Sequence, residues 1–180
     1  MARTTRRDWL AAGLGVVGDV GADGLTIDAL TVQLGVTKGS FYHHFASFRE
    51  YKDSLLAFFE REETLDIIAR VEEDGAASAR DKLRRLIDVV VTGSSRIEVG
   101  IRAWALRDAE VRAYQERIDG RRLAYLREVC AALTGDEPRA LVMARVFYAL
   151  YVGCEQIVPP IEGDDRRRMF DAVIRLYGLS

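Results

Sequence analysis

The apolar residues of this chain recur every three or four positions along almost its whole length. This spacing gathers them on one side of an α-helix, whereas a half-buried β-strand would show strict alternation over several residues. No useful stretch of such alternation is present. Only three prolines occur in 180 residues, against many Ala, Leu, Arg and Glu, and this composition also favours helix. The pattern therefore predicts an all-α protein of about nine helices.

Glycines, prolines and capping residues divide the pattern into separate helices. The segment GADGL stops the first helix with two glycines, Gly35 ends the second, and Pro159 and Pro160 end the penultimate one. Three short helices are expected over about 5–20, 26–34 and 37–44. Six more are expected over about 47–71, 78–91, 97–106, 109–133, 137–157 and 164–177. The run Arg166 to Arg168 is expected to solvate the last helix or to pair with the acids of EGDD.

The helices are expected to form two domains. The first three make a unit of about 45 residues, which is small for independent stability, so we expect it to pack on the fourth helix. Residues 1–46 then form an N-terminal module and residues 47–180 a larger C-terminal domain. The long helix of about 47–71 connects the two.

Composition narrows the kinds of function. Hydrophobic residues make up 49% and charged residues 30%, which is typical of a globular protein with a sizeable core. The net charge of −2 means that any nucleic-acid surface must be local. No apolar run approaches the ~20 residues of a membrane span, and MARTTRR lacks the apolar stretch of a signal peptide, so we expect a cytoplasmic protein. The two cysteines, Cys130 and Cys154, lack metal or disulfide spacing and are expected in the core or at an interface.

The ten residues VTKGSFYHHF, Val36 to Phe45, contain both histidines of the chain. Two short helices joined by a glycine turn predict a helix-turn-helix, whose second helix enters the major groove of DNA. At helical spacing Val36, Phe41 and Phe45 lie inward and hold this helix on its scaffold. On the outer face Lys38 can reach a phosphate or a guanine edge. Gly39 permits close approach to the sugar-phosphate backbone.

Hydroxyl and guanidinium groups extend this expected surface. Thr26 and Thr37, each at a helix start, can donate to phosphates. A basic arm in front of the module suits phosphate or minor-groove contact, and it comprises Arg3, Arg6 and Arg7. The predicted DNA contacts are Thr26, Thr37, Lys38, Gly39, Ser40, Tyr42, His43 and His44.

The segments LTIDAL, residues 25–30, and LGVTKGSFYHHF, residues 34–45, resemble the DNA-binding module of TetR-type (tetracycline-repressor-like) transcriptional regulators. Members of that family typically show a Thr at the start of the second helix, Gly-Val at the turn and an aromatic-rich recognition helix. The resemblance implies a fold of nine or ten helices and a C-terminal domain for ligand binding and dimerisation. It also implies DNA contact at seven of the residues already named: Thr26, Thr37, Lys38, Gly39, Tyr42, His43 and His44.

One position departs from the family pattern. Phe48 stands where family members commonly have a lysine that touches a phosphate at the start of the fourth helix. Arg49 or Lys52 replaces that contact, or the contact is absent.

Two other interpretations of the N-terminal region are weaker. His43 and His44 are neighbours that point about 100° apart on a helix, and no third ligand is near them in sequence, so no metal site is expected. The stretch from Gly13 to Gly18 spells GxGxxG, which marks a dinucleotide site only between a strand and a helix. It lies within a predicted helix, so its small residues are expected to allow close helix packing instead.

The C-terminal domain is expected to form a homodimer. The helix of 137–157 is apolar around much of its circumference, so it must be buried on more than one side. A twofold axis also pairs two recognition helices with two half-sites. The alternative is the ordinary core of a monomer. The predicted interface residues are Leu141, Val142, Val146, Val152, Met169 and Val173.

A small-molecule site is also predicted among the middle helices. Aromatic residues with polar tips can line an apolar cavity, although at helical spacing each can equally be plain core. The predicted lining residues are Trp104, Tyr114, Tyr125, Phe147, Tyr148 and Tyr151.

Taken together, the residues and the resemblance predict a one-component transcriptional regulator. A dimer binds a palindromic double-stranded operator, as a repressor, and a small-molecule effector releases it. The alternative is a DNA-binding regulator without a ligand. No enzyme activity and no cofactor are expected, because the C-terminal part has no histidine, no nucleophile-elbow motif and no recognisable carboxylate cluster.

Overall fold

The computed structural model describes residues 4–73, 78–93 and 96–179. Over these residues the chain is helical and contains no strand. The helices are α1 Arg6–Val20, α2 Ile27–Leu34, α3 Lys38–His44, α4 Phe48–Glu60, α5 Asp66–Glu72, α6 Ala79–Thr92, α7 Arg96–Ala105, α8 Ala109–Thr134, α9 Glu137–Gln156 and α10 Gly163–Leu176. A π-helical turn, Arg61–Leu65, joins α4 to α5 without a break, and a 3₁₀ turn, Ala22–Gly24, follows α1. With α4 and α5 counted as one helix, the described ranges hold nine, so the predicted all-α fold is confirmed.

Capping residues fix the helix starts where the sequence places them. The Thr5 side chain accepts a hydrogen bond from Asp8 N, and the Asp8 carboxylate accepts one in return from Thr5 N. Thr26 caps α2 in the same sense by accepting from Ala29 N at 3.1 Å. Asp136 caps α9 by accepting from the amide of Arg139 at 3.1 Å. Each cap satisfies a donor that the helix leaves unpaired, and loss of such a cap costs about 1 kcal/mol.

The described residues cluster into two compact units that are interleaved along the chain. The N-terminal unit lies within Met1–Glu63 and Ser95–Arg117, and the C-terminal unit within Thr64–Ser94 and Ile118–Ser180. The first unit thus contains α7 and the start of α8 in addition to α1 to α4. The division of the chain at residue 46 stays a prediction about domains.

Aromatic side chains form the core of the N-terminal unit. Trp9 and Phe41 are fully buried and meet edge to face, with 5.4 Å between ring centroids. Tyr51, also fully buried, donates to the Trp9 carbonyl at 2.9 Å. Phe45 packs edge to face on Tyr51 at 5.0 Å. This cluster joins α1, α3 and α4, and it explains why the three-helix module packs on α4.

The GxGxxG segment is part of α1, and its glycines serve helix packing. A Cβ at Gly13 would lie 1.9 Å from the Tyr51 hydroxyl, so the buried Tyr51 side chain would have to shift. A Cβ at Gly18 would lie 3.2 Å from the backbone of Ile97 on α7. On the facing helix, a Cβ at Gly100 would lie 2.4 Å from the carbonyl oxygen of Val17. Small residues therefore let α4 and α7 approach α1 closely, which is the packing interpretation of this motif.

The C-terminal unit has a separate core between α6, α8, α9 and α10. Phe147 and Phe170 stack nearly parallel, with ring centroids 6.1 Å apart. Cys130 and Cys154 are buried thiols, as predicted. Burial raises the pKa of the Cys130 thiol to about 12.

The expectation that the arginine run of α10 is solvated is wrong for its first member. Arg166 is 1% exposed and donates from Nε to Ile161 O at 2.8 Å and from Nη1 to Val90 O at 2.7 Å. It therefore ties the start of α10 to α6, because buried carbonyls need a donor. Arg167 pairs with Asp88 at 2.7 Å and Arg168 with Asp165.

Candidate DNA-binding surface

The helix-turn-helix is held by one glycine turn and two buried phenylalanines. Gly35 adopts the left-handed conformation, with φ 65°, that lets the chain leave α2 and enter α3. The Val36 amide donates to the Thr31 carbonyl at 3.1 Å and closes the turn. Phe41 and Phe45 are 0% and 1% exposed, so one face of α3 is fixed to the core. The opposite face is turned to solvent.

The solvent face of α3 carries most of the predicted DNA contacts. Thr26, Thr37, Lys38, Gly39, Tyr42 and His43 are exposed, whereas Ser40 and His44 are half-buried. Tyr42 keeps 58% of its surface exposed although its ring touches Phe41 edge to face. The Thr37 side chain makes no capping hydrogen bond, so its hydroxyl stays available to a ligand. The structure thus leaves six of the eight predicted contact residues exposed.

The absence of a side chain at Gly39 has no packing reason. A Cβ there would meet only Thr37 Oγ1, at an ordinary 3.6 Å. Its φ is not in the left-handed region either. A glycine that the fold does not require, on the exposed start of α3, fits a need for close approach by another molecule.

Lys38 is paired across the turn with a residue that sequence analysis did not single out. Its Nζ lies 2.6 Å from Asp28 Oδ1 on the first turn of α2, and both side chains are largely exposed. The hydrogen bond with Asp28, together with its negative charge, raises the pKa of Lys38. The sequence does contain a sign of this pair. Asp28 is an acid in a segment expected to face phosphates, where basic residues are usual.

His44 and Arg6 hold the module together instead of projecting from it. The His44 ring Nε2 lies 3.0 Å from Thr4 O. Arg6 donates from Nη1 to His44 O at 2.8 Å and from Nη2 to Glu50 and Ser54 at 3.0 and 2.7 Å. Its guanidinium also lies 4.4 Å from the centroid of the Phe45 ring. Arg6 therefore links α1 to α3 and α4.

The predicted basic arm is only partly described. Arg3 lies outside the described residues. Arg7 pairs with Glu62 at 3.0 Å and lies 5.6 Å from the Phe58 ring centroid. Because Arg6 and Arg7 both have intramolecular partners, DNA contact by either would have to displace those partners.

The region after α3 shows how the chain uses the position where the family lysine is usual. Phe48 is half-buried and packs against Tyr51, with 5.8 Å between ring centroids. Lys52 is 13% exposed and binds Asp108 at 2.6 Å and Glu110 at 3.0 Å. Burial lowers its pKa, but the hydrogen bonds with the two acids outweigh this and raise it. Arg49 is 77% exposed, with Glu110 2.7 Å away, so it is the more accessible of the two cations.

The six predicted pocket aromatics are distributed over both units. In the N-terminal unit, Trp104 has Lys52 Nζ 5.5 Å from its ring centroid, and Tyr114 has the Arg117 guanidinium at 4.3 Å. In the C-terminal unit, the Tyr148 hydroxyl donates to Asp119 at 2.8 Å.

The other aromatics of the C-terminal unit are partly plain core. Phe147 is 2% exposed within the hydrophobic cluster. The hydroxyl of Tyr125 donates to Glu72, and the ring of Tyr151 packs on that of Tyr148. A surface cavity of about 230 Å³ lies between α6 and α10, and none of the six aromatics lines it. The pocket assignment stays a prediction.

Two of the predicted interface residues form an exposed apolar stripe. Val142 and Val146, one turn apart on α9, are 54% and 38% exposed. A Cβ at Gly153 farther along α9 would meet nothing within 4 Å. The other predicted residues are half-buried: Leu141, Val152, Met169 and Val173.

Known proteins resemble this chain in part of its sequence and in its fold. Residues 10–56 match the sequence model of the bacterial regulatory proteins of the tetR family. A solved TetR/AcrR family member is 22% identical, with a TM-score of 0.80 and 97% of both chains covered. A transcriptional regulator from Rhodococcus sp. Rha1 is 18% identical, with a TM-score of 0.75, over 96% of this chain and 95% of that one. The reduced form of E. coli NemR is 20% identical, with a TM-score of 0.76, over 98% and 97%. No curated protein matches the chain.

An exposed helix that follows the glycine turn of a helix-turn-helix is the arrangement typical of helix-turn-helix DNA-binding proteins. The matched segment contains α2, α3 and most of α4, and therefore the whole DNA-binding motif. The chain is therefore similar to the tetR family of regulatory proteins over residues 10–56, and it shares the fold of the solved TetR/AcrR family member. No helix of the described residues is long and apolar enough to cross a membrane.

Proposed function

We propose that the protein is a repressor that binds a palindromic operator as a homodimer, in the cytoplasm, and is released by a small-molecule effector. The proposal needs no metal, no cofactor and no catalytic group. The observation that carries it is the outer face of α3, on which Thr37, Lys38, Gly39, Tyr42 and His43 lie exposed while Phe41 fixes the helix from below.

This face, together with the start of α2, offers phosphate contacts and base contacts. The hydroxyls of Thr26 and Thr37 donate to phosphate oxygens and set the register of the helix on the duplex. Lys38 and His43 supply donors at the groove, and Tyr42 supplies a flat exposed ring for contact with bases or sugar. His44 acts from within, because its ring is held at Thr4 O.

The test of DNA binding is fluorescence anisotropy with labelled duplexes from upstream of the protein's own coding region, at several salt concentrations. The wild type should bind tightly, and its affinity should fall steeply with salt as phosphate contacts release counterions. Tyr42→Ala should abolish preference for sequence. Leu106→Ala is the matched control, because Leu106 is 78% exposed and lies on no proposed contact surface. Binding that is indifferent to both salt and Tyr42 would refute the proposal.

The homodimer is supported by the stripe of Val142 and Val146. The two valines are exposed and lie one turn apart on a long helix, so a second helix can cover both. Burial of their apolar surface would stabilise the dimer by about 25 cal/mol per Å². Val142→Glu should dissociate the dimer, because a carboxylate would be buried without a partner. Leu106→Glu places the same charge on an exposed residue elsewhere and should not. Sedimentation velocity at micromolar concentration separates the outcomes, and a monomeric wild type would rule out the dimer.

Effector release is supported by the seating of α7 on α1 within the N-terminal unit. Because Gly100 places α7 directly on the backbone of Val17, a displacement of α7 towards α1 has to move α1. Effector and operator should then weaken each other's binding by the same factor. A thermal-shift screen finds ligands, and anisotropy with and without each ligand measures the factor. A ligand that binds without changing operator affinity would favour the alternative, a DNA-binding regulator that takes no effector.

A further inference from the structure

Asp28 and Lys38 form an exposed ion pair, and Lys38 belongs to the proposed DNA surface. Lys38 Nζ lies 2.6 Å from Asp28 Oδ1, and the two side chains are 60% and 72% exposed. Asp28 belongs to α2 and Lys38 begins α3, so the pair bridges the two helices of the motif. Both side chains are therefore accessible to a molecule that approaches the start of α3.

A carboxylate in this position is costly unless DNA offers it a donor. Phosphates repel it, because duplex DNA carries one negative charge per ~1.7 Å of its axis. The major groove contains only two kinds of hydrogen-bond donor, the N4 amino group of cytosine and the N6 amino group of adenine. A carboxylate is a good acceptor for the cytosine amino group. Asp28 is therefore compatible with DNA binding when it reaches a base edge.

The adjacent ammonium selects between the two bases. Lysine donates best to guanine, because guanine presents two acceptors, O6 and N7, on one edge. In a C·G pair the cytosine N4 amino group lies beside guanine O6. The Asp28 carboxylate and the Lys38 ammonium are adjacent in the protein, and the cytosine N4 amino group and guanine O6 are adjacent in the base pair. The acceptor of the protein therefore matches the donor of the base pair, and the donor of the protein matches its acceptor.

We propose that Asp28 and Lys38 together read one C·G base pair in each half-site, Asp28 accepting from cytosine N4 and Lys38 donating to guanine O6 and N7. The inference rests on the proposed DNA-binding function and adds to it a residue pair that sets specificity. The competing role for Asp28 is to neutralise Lys38 and so hold down binding to every sequence alike.

The test begins with selection from a randomised duplex library by the wild type, by Asp28→Ala and by Lys38→Ala. Val20→Ala is the control, since Val20 is 68% exposed and lies at the far end of α1. Anisotropy then measures affinity for the selected site and for each single base-pair change within it.

The wild-type site should contain a symmetric C·G pair whose replacement costs roughly 10-fold to 100-fold in affinity. Asp28→Ala and Lys38→Ala should each reduce the preference at that position to about 2-fold and leave the other positions unchanged. The double variant should lose no more base preference at that position than either single variant, because the two side chains recognise the base pair together.

Other results overturn the inference in separate ways. If Asp28→Ala raises the affinity for every sequence by the same factor and leaves the base preferences unchanged, the role of Asp28 is to neutralise the charge of Lys38. Dependence of an A·T position on Asp28 would overturn the C·G assignment. If the wild type selects no sequence while remaining folded, the proposed operator binding itself fails.

Discussion

Substitution of Gly100 by alanine tests the seating of α7 on α1. A methyl group at Gly100 would lie 2.4 Å from the carbonyl oxygen of Val17, whereas such contacts do not fall below 3.0 Å in real structures. The two helices must therefore separate by about 0.6 Å or distort, because a backbone oxygen cannot rotate away as a side chain would. Overpacking of this kind costs about 1–3 kcal/mol, against a gain of about 1 kcal/mol from the better helix propensity of alanine.

Gly120 provides the matched control. It lies on the exposed side of α8, and a Cβ there would meet nothing within 4 Å. Gly120→Ala should therefore be stabilising by about 1 kcal/mol, the propensity term alone. Gly100→Ala should be less stable than Gly120→Ala by about 1–3 kcal/mol, which corresponds to roughly 2–4 °C of melting temperature per kcal/mol.

Urea unfolding followed by circular dichroism measures both variants against the wild type. Equal stabilisation by the two alanines would mean that α7 is not seated on the backbone of α1. The same pair of variants tests the proposed coupling, since a displaced α7 should change the operator affinity of Gly100→Ala and leave that of Gly120→Ala unchanged.

Two further predictions concern buried polar groups. Lys52→Met should be destabilising by about 1–3 kcal/mol at pH 7, because it removes a charged hydrogen-bond donor from Asp108. The hydrogen bond from Lys52 holds the pKa of Asp108 below its usual 3.8, so this stabilisation is present above pH 3.8 and is lost as the pH falls further. Urea unfolding should show the gap between variant and wild type narrowing from pH 7 to pH 3, and a gap independent of pH would contradict the role of Lys52. Cys130 should resist iodoacetamide at pH 8 in the folded protein and react in guanidinium chloride, because burial raises its pKa to about 12; rapid labelling of the native state, read by mass spectrometry, would contradict this.

The sequence predicts the helices well because their boundaries depend on local chemistry. The caps at Thr26 and Asp136 and the turn at Gly35 require only the residues beside them. The predicted long helix of about 47–71 contains a π-helical turn, Arg61–Leu65, that periodicity does not reveal, since one extra residue in a turn leaves the apolar pattern nearly intact.

The candidate site is less predictable where partners are distant in sequence. The sequence suggests DNA contact for the basic arm and solvent or nearby acids for the run of arginines, but Arg6 binds across 44 residues to Glu50, and Arg166 across 76 to Val90. The Lys38–Asp28 pair escapes notice for a related reason, because it depends on the angle between two helices and not on spacing within one. The burial and pairing of long cationic side chains depend on tertiary structure, so a charge pattern in the sequence alone predicts that they are solvent-exposed.

These distant contacts give α1 a role that its own sequence does not suggest. Near its N-terminus, Arg6 binds the end of α3 and the side chains of α4. Near its C-terminus, Val17 and Gly18 contact α7. The helix has 15 residues and is about 22 Å long, so a rigid rod joins α7 to the recognition helix. Under the proposed mechanism a shift of α7 therefore reaches α3 through α1. Weakening the link at Arg6 should reduce the effect of the effector more than the affinity for the operator, because Arg6 already binds the end of α3 and two side chains of α4 and is not on the proposed contact face.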